Sequence, residues 1–497
     1  MLRLQLCNHL RPCMRAFTQV LALLTLVTFS STLCAQAQPP VTYPLTKRGD
    51  VVDTLHGKQI ADPYRWLEDD RAPEVEAWVE SQAKVAQQYL SRIPFRDAVR
   101  TRLAELNNYE KVGSPRTVDG VTFFMRQTGE QNHAVLYRQN GSEKPEVLID
   151  PAEWSTDGTV RLSDWDVDES GTWLSFSRSR GGSDWQQVLV MSIATKKIYA
   201  DTLNWVKASG TSWYKNGFFY GRYDAPANTK SELSSANKGH KVYYHTVGTP
   251  QSRDNLIYES PSEPEQFNFC WVPDGTKLLF RAASKGADRG SRLWFRPAAN
   301  KAAPWKEVFV SETASFDMVD VRNDTIYAVT NLNAPNGRLV RMVNLFENPS
   351  LETILPESKH VIQSVSIIGD YAHVVKSVDV KDEVEVYRIT TDPQKTLQLE
   401  RKIELPGPGS VGGFGGKRTD SFVYYTFTSY THPTTIYKYD VGTGESTVWK
   451  KVEAQFNPDD FEARQVFVTS KDSTRVPMFV MHRKGLSYDG TAPTILY

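Results

Sequence analysis

Apolar and aromatic residues recur along this chain in short strand-like phrases. Seven such phrases follow one another at intervals of 46 to 53 residues. A second apolar phrase starts 13 to 24 residues before each of them, at 123–125, 173–176, 218–220, 278–280, 326–328, 373–375 and 423–425. The seven later phrases are Val-Leu-Tyr around Leu136, Val-Leu-Val around Leu189, Val-Tyr-Tyr from Val242, Leu-Trp-Phe from Leu293, Leu-Val-Arg from Leu339, Val-Tyr-Arg from Val386 and Ile-Tyr-Lys from Ile436.

A period of 40 to 50 residues built from β-branched and aromatic strands is typical of propeller blades. Dipeptides that favour tight turns separate the phrases, among them Asp119-Gly120 and Asn336-Gly337. The pattern therefore predicts a mainly β fold with a seven-bladed β-propeller over residues 109–456.

The segment before the propeller, residues 38–108, has helical spacing. Pro73 suits a first helical turn, and Glu74 and Glu76 favour the positive end of the helix dipole. A second helix is predicted from about Phe95 to Leu106. One face of the first helix is apolar and is formed by Val75, Trp78, Val79, Ala86, Tyr89 and Leu90.

The repeat stops near residue 456, and residues 457–497 form a third segment. Two strands are predicted at 464–470 and 476–482, joined by 471–474, and a third strand begins at 492–497. An unpaired apolar strand at a chain terminus exposes an edge that favours aggregation. We therefore expect the sequence to be incomplete.

Residues 1–37 have the features of a signal peptide. Arg11 and Arg15 precede the apolar run 20–29, and Ala35-Gln36-Ala37 offers a cleavage site. The run is short for a transmembrane span. A secreted or periplasmic protein with no membrane contact after cleavage is predicted. An uncleaved anchor and a lipoprotein modified at Cys34 are the alternatives, and Met14 is a possible start.

Composition adds little to this picture. Hydrophobic residues make up 40%, and 58 Lys and Arg balance 58 Asp and Glu. A neutral chain gives no reason to expect a nucleic-acid partner. After signal cleavage only Cys270 remains, so no internal disulfide can form, and its apolar neighbours predict a buried structural thiol.

Motifs for catalysis, metals or phosphate are missing. The sequence has no Gly-x-Ser-x-Gly, His-Glu-x-x-His, phosphate loop or Cys-x-x-Cys. We expect no cofactor and no metal. The glycine run 412–416 is interpreted as a tight turn, Ser183-Asp184 and Ser429 with His432 as chance pairings, and His482 as a surface or packing residue.

Several phrases resemble the prolyl oligopeptidase (prolyl endopeptidase) family. The most specific are 62–69 with the following 74–82, and 470–479. Further matches, in order along the mature chain, are 182–185, 241–245, 291–294 and 427–429.

This resemblance implies a serine peptidase that cleaves short peptides after proline, as a monomer. Residues 38–108 and 457–497 would belong to an α/β-hydrolase domain, and the propeller would restrict access to its active site. The family's serine, aspartate and histidine are expected beyond Tyr497, which matches only the first tyrosine of a Tyr-Gly-Tyr-Gly-Gly-Phe motif. No catalytic residue is therefore predicted within this chain, which alone should be inactive. Ala208 stands where well-studied members carry a substrate-facing aromatic.

Two other functions remain open. One is cleavage after basic residues, as in oligopeptidase B, which shares the 62–69 phrase in looser form. The other is a non-catalytic propeller that binds a peptide or glycan. The residues at 65–69 and 476–479 favour the class that cleaves after proline over the oligopeptidase B class.

Overall fold

A computed structural model describes residues 41–69, 72–129, 131–225, 237–286, 288–390 and 396–497. The predicted signal peptide lies outside these residues. The chain divides into two compact units, Met1–Ala98 and Val99–Tyr497. The domain boundaries at 108 and 456 stay predictions. In the described part of the chain, no helix combines the length and apolar character needed to cross a membrane.

The first unit contains a hairpin and most of the helical structure. Strands β1 (Val52–Leu55) and β2 (Lys58–Ala61) pair antiparallel, and helix α1 (Pro73–Ser91) follows. Helix α2 (Arg96–Asn107) begins here and continues into the second unit. Both helices are present where helical spacing predicts them. Pro73 occupies the first turn of α1, where its missing N–H costs no hydrogen bond.

The segment 62–69, one of those that resemble the prolyl oligopeptidase family, connects the parts of the first unit. The Arg65 guanidinium binds Asp62 at 2.6 Å and also contacts Asp53 on β1. The Trp66 ring packs edge-on against Trp78 of α1, with centroids 6.4 Å apart. These contacts connect the hairpin to the helix.

The second unit opens with two sheets. The first has five strands: β3 (Lys111–Val112), β4 (Arg116–Val118), β5 (Val121–Gln127), β6 (Val135–Asn140) and β7 (Glu146–Ile149). The second has seven strands: β8 (Val160–Val167), β9 (Trp173–Arg180), β10 (Gln186–Ser192), β11 (Ile198–Tyr214), β12 (Gly217–Arg222), β13 (Lys241–Thr246) and β14 (Asn255–Tyr258).

Four antiparallel sheets of four strands follow. The first comprises β15 (Gln266–Trp271), β16 (Leu278–Lys285), β17 (Arg292–Pro297) and β18 (Lys306–Val310), and the second β19 (Phe316–Arg322), β20 (Thr325–Thr330), β21 (Arg338–Val343) and β22 (Ser350–Leu355). The third comprises β23 (Val361–Ile368), β24 (Tyr371–Val378), β25 (Lys381–Ile389) and β26 (Leu397–Ile403), and the fourth β27 (Ser410–Gly415), β28 (Phe422–Thr428), β29 (Thr435–Asp440) and β30 (Ser446–Lys451).

The mainly β propeller is confirmed, but the prediction of seven blades is wrong in number. The described residues form five separate blades of four or five strands, and the second and third repeats share one seven-stranded sheet. The reason is β11, whose first half pairs with β10 and whose second half pairs with β12. A register shift between Val206 and Thr211 bends this strand without ending it.

Neighbouring sheets bury apolar faces against one another. One cluster joins Phe280 and Phe295 of β16 and β17 to Ile326 and Val340 of β20 and β21. Each of these four side chains is almost fully buried. Because each blade buries a face on the next, a blade depends on its neighbours for stability.

A hairpin follows the last four-stranded sheet. Strands β31 (Phe461–Thr469) and β32 (Arg475–Arg483) pair in full register, as the sequence predicts. The predicted third strand at 492–497 is wrong, since these residues form no regular secondary structure. Ile495 and Leu496 are 92% and 89% exposed, so no neighbouring strand pairs with this segment.

Candidate functional site

A cavity of about 410 Å³ lies where three sheets of the second unit come together. Residues 114–117, which lead into and form β4, line one side, and β27 with the start of β28 lines another. Asp274, in the turn between β15 and β16, completes the wall. A β-propeller encloses a central channel between its blades. A cavity lined by the first strands of two sheets and a turn of a third is therefore the candidate for this channel.

The glycine run 412–416 forms part of this wall. The sequence predicts a tight turn, but Gly412 and Gly413 belong to β27, which bulges before Gly415. Gly413 has φ of 109° and Phe414 has φ of 60°. A side chain at Gly413 would collide with the backbone of Tyr424 and Tyr425. The glycines therefore allow close packing of β27 on β28 and form no phosphate cradle.

Acidic groups from two turns meet near the cavity. Glu169, in the turn between β8 and β9, lies within hydrogen-bond reach of Asp274. Burial raises the pKa of Glu169, and the negative charge of Asp274 raises it further, while Lys417 opposes the shift. Glu169 therefore holds a proton more readily than an ordinary glutamate, with the Asp274 carboxylate and the Lys417 ammonium group beside it.

A second carboxylate group lies on β8 itself. Arg116 of β4 forms an ion pair with Asp166. Burial raises the pKa of Asp166, and the arginine partly offsets this effect. Burial also raises the pKa of Asp164. The raised pKa values make these carboxyl groups less readily ionised than usual, and the cavity wall itself carries Arg116 and Lys417 beside Asp274 and Asp420.

A more open cleft of about 460 Å³ lies where the chain enters and leaves the sheets of the second unit. Tyr109, Lys111 and Val112 line the entering side, and Val452 and Phe456 line the leaving side. The turn 428–434 between β28 and β29 closes it.

The hairpin β31–β32 contacts the same region. The rings of Tyr430 and Phe479 lie 4.9 Å apart. The Gln465 side chain donates a hydrogen bond to the Asp379 carbonyl, in the turn between β24 and β25. The turn 428–434 and the turn between β24 and β25 therefore both contact the hairpin.

Ser429 does not form a hydrolytic pair with His432. The Ser429 hydroxyl accepts hydrogen bonds from the backbone N–H groups of Thr431 and His432. The imidazole of His432 instead lies 3.0 Å from the Thr431 hydroxyl and 3.8 Å from the Asp459 carboxylate. The serine stabilises a turn, which agrees with the sequence interpretation of a chance pairing.

Ser183 and Asp184 likewise have structural contacts. The Ser183 hydroxyl accepts a hydrogen bond from the Trp185 backbone N–H, and Asp184 pairs with Lys207 at 3.7 Å. Trp185 packs edge-on against Trp205 at 5.6 Å. Ala208 is exposed on the bulge of β11, with φ of 52°.

The remaining candidates are packing residues. His482 lies 2.5 Å from the Tyr488 hydroxyl and 3.5 Å from Glu462, which fits the predicted packing role. Cys270 is buried, and burial raises the pKa of its thiol to about 12. The predicted structural thiol is confirmed. No group of three or more His, Cys, Asp or Glu side chains in the described ranges is placed to hold a metal ion.

Sequence reasoning missed Glu169 and Lys417. Asp274-Gly275 is a turn-forming dipeptide in the sequence, but a turn motif gives no information about which distant turn lies opposite. A count of charged residues in the turn after each first strand would have selected all three.

Comparison with known proteins identifies the family. The domain family described as "Prolyl oligopeptidase, N-terminal beta-propeller domain" matches residues 43–452. A prolyl endopeptidase of Elizabethkingia meningoseptica is 39% identical over 467 residues, which cover 93% of this chain and 64% of the relative. A dual function macrocyclase-peptidase of Galerina marginata is 27% identical, covering 92% of this chain and 67% of the relative.

Solved structures give the same result. A prolyl endopeptidase studied for its inter-domain dynamics is similar with a TM-score of 0.80 and 32% identity, over 90% of this chain and 65% of that protein. Prolyl oligopeptidase B of Galerina marginata, solved with a 35mer hydrolysis and macrocyclization substrate, has a TM-score of 0.81 and 25% identity over 92% and 67%. The chain thus spans 64% of its first curated relative. We conclude that the chain belongs to the prolyl oligopeptidase family and carries its N-terminal β-propeller domain.

Proposed function

We propose that this chain is the N-terminal and propeller part of a secreted or periplasmic serine peptidase that hydrolyses short peptides after proline. The observation that carries the proposal is the match of the family's propeller domain to residues 43–452. Relatives named prolyl endopeptidase support the proline specificity. The leader 1–37 supports export.

In this proposal the propeller limits which substrates reach the active site. The cavity between β4, β27 and Asp274 is the part of the channel that peptides would meet. The propeller would exclude folded proteins by size.

The remaining segments would belong to an α/β-hydrolase domain. Residues 38–108 and 457–497 flank the propeller in sequence. Val468, Val476 and Met481 on the hairpin are exposed, which is expected of strands that pack on further structure. The nucleophilic serine, its histidine base and the aspartate would come from that further structure.

A peptidase assay of the purified chain tests whether the catalytic residues lie outside it, as proposed. We expect no hydrolysis of a fluorogenic proline-containing peptide above the buffer rate, because in this proposal the activated serine nucleophile lies outside the chain. The prolyl endopeptidase of Elizabethkingia meningoseptica serves as the positive control. Turnover that a serine-reactive inhibitor abolishes would refute the inactive assignment.

A further inference from the structure

The seven-stranded sheet differs from the other sheets in how its halves are joined. Strand β11 pairs with β10 at Leu189↔Thr202 and with β12 at Ser212↔Phe219. The backbone ladder therefore runs unbroken from β8 to β14. Among the described residues, no strand pairing connects any other two sheets of the propeller.

A buried polar network also connects the two halves of the seven-stranded sheet. The imidazole of His245, on β13, lies 2.8 Å from Asp254 through Nδ1 and 3.2 Å from Asp201 through Nε2. The His245 and Asp254 side chains are fully buried, and that of Asp201 is 4% exposed. Asp201 belongs to the first half of β11, and Asp254 directly precedes β14. The histidine thus connects strands from both halves.

Each carboxylate has a second partner. The Tyr220 hydroxyl on β12 donates to Asp254 at 2.6 Å, and the backbone N–H of Gly248 donates to Asp201 at 2.6 Å. A buried carboxylate is tolerated only when its oxygens are satisfied in this way. Removing the histidine would leave two buried negative charges facing each other.

The surroundings of His245 favour its protonated form. Burial by itself lowers the pKa, but hydrogen bonds from the ring to Asp254 and Asp201 and their negative charges outweigh it and raise the pKa above its usual range. The Phe218 ring packs against the imidazole at 5.3 Å and carries no charge. An imidazolium donates from both nitrogens, which matches a carboxylate on each side.

A neighbouring pair of hydrogen bonds adds to the connection between the two halves of the seven-stranded sheet. The Gln251 side chain accepts from the Asn204 backbone N–H and donates to the Asn204 carbonyl, both at 3.1 Å. It also lies 3.2 Å from the Tyr220 hydroxyl. The first half of β11 is therefore held at Asp201 and Asn204 by residues that flank β14.

We propose that β8–β14 is a fixed sector of the propeller, locked by the His245 network, and that any widening of the channel takes place between the other sheets. The inference rests on the gating role proposed above. The other sheets share no strand ladder and pack through apolar faces, as in the cluster around Phe280 and Ile326, together with single polar contacts such as Arg322 with Asp370. Apolar contacts are not directional. Two packed apolar faces can therefore slide past each other at a lower cost in free energy than strands joined by a continuous hydrogen-bonded ladder.

Hydrogen exchange of the protein at neutral pH tests the fixed sector. We expect the amides of β9, β10, β12 and β13 to exchange with one common opening free energy, as a single cooperative unit. The four-stranded sheets should open as separate units. Different opening free energies for the two halves of the seven-stranded sheet would overturn the proposal.

The variant His245→Gln tests the network itself. We expect exchange to accelerate at least about tenfold across β8–β14, because two buried charges lose their partner. The matched control is His373→Gln, which replaces a buried histidine on β24 whose ring packs against Phe414 and Tyr439. The control should leave β8–β14 within about twofold of the parent. An unchanged β8–β14 in His245→Gln would overturn the proposal.

Histidine NMR titration of the parent protein gives a measurement that needs no folded variant. One imidazole should titrate clearly above the ordinary value of about 6.5 and show both nitrogens protonated at neutral pH. If all imidazoles titrate at or below that value, the network is not ionic and the proposal is wrong. None of these measurements uses catalysis, so their failure would leave the peptidase proposal standing.

Discussion

Single residues in this protein act through partners that are remote in sequence. His245 and Asp201 are 44 positions apart, and the Ser183 and Ser429 phrases that stand out in the sequence only stabilise turns. Composition and spacing predict that Cys270 is buried, because its neighbours are apolar. They could not predict the His245 network, since nothing near His245 specifies which acidic residues lie beside it.

Glu385 offers a test of charge pairing at this scale. Burial would raise its pKa, but hydrogen bonds from Lys376, Tyr387 and Lys402 lower the pKa to about 2. Since the folded-state pKa is depressed, the stabilisation is complete above the unfolded value of about 4.3 and is lost as the pH falls towards 2. We expect Glu385→Gln to cost about 1 to 2 kcal/mol at pH 7, after allowing for solvent screening.

Melting curves of parent and variant at pH 7 and pH 2.5 check this expectation. The difference between the two proteins should be larger at pH 7. Glu352→Gln is the control, because Glu352 forms an exposed pair with Arg341 and should change stability by less than about 0.5 kcal/mol. An equal or larger difference for Glu385→Gln at pH 2.5 would contradict the assigned charge state.

At the scale of elements, the repeat predicts strands well and sheet boundaries poorly. The seven later phrases lie on β6, β10, β13, β17, β21, β25 and β29, and the earlier ones lie on the strand before each. Alternating side chains determine whether a segment is a strand, but they do not determine where a ladder ends. That depends on Trp205 and Ala208, whose φ values of 60° and 52° let β11 bend and continue.

Gly217 tests how tightly the seven-stranded sheet is packed. It begins β12 opposite Thr246, and a Cβ there would collide with the His245 carbonyl oxygen and the Tyr244 ring. We expect Gly217→Ala to destabilise the protein by about 1 to 3 kcal/mol in a denaturant titration. Gly415→Ala on β27 has open space for its methyl group and should change stability by no more than about 0.5 kcal/mol. Equal destabilisation by the two substitutions would show that β12 can shift to accommodate the added methyl group.

At the scale of the whole molecule, the two compact units differ in how much apolar surface they bury. In the described part of the first unit Val75 is the buried apolar residue, whereas Val79 is 52% exposed and Tyr89 is 41% exposed. The sequence predicts helix α1 correctly, but most of its apolar face is exposed in the structure. The family itself could be predicted, because the phrases at 62–69 and 470–479 resemble it, and the family's propeller domain matches residues 43–452.

Hydrogen exchange should reflect this difference between the units. We expect the amides of α1 to exchange faster than those of β24, whose residues Ala372, Val374 and Val375 are buried. Helical hydrogen bonds with one open face are broken by local fraying, while a central strand opens only with its sheet. Equal protection of α1 and β24 would contradict the low stability assigned to the first unit.

The most direct test of the central claim is the cleavage specificity of a chimera. This chain would be joined to the C-terminal part of the Elizabethkingia meningoseptica prolyl endopeptidase that it does not cover. We expect the folded chimera to hydrolyse a short peptide after proline and not after arginine, at a rate within about a hundredfold of the relative. A folded chimera that cleaves after arginine, or that cleaves nothing while the relative is active, would contradict this expectation.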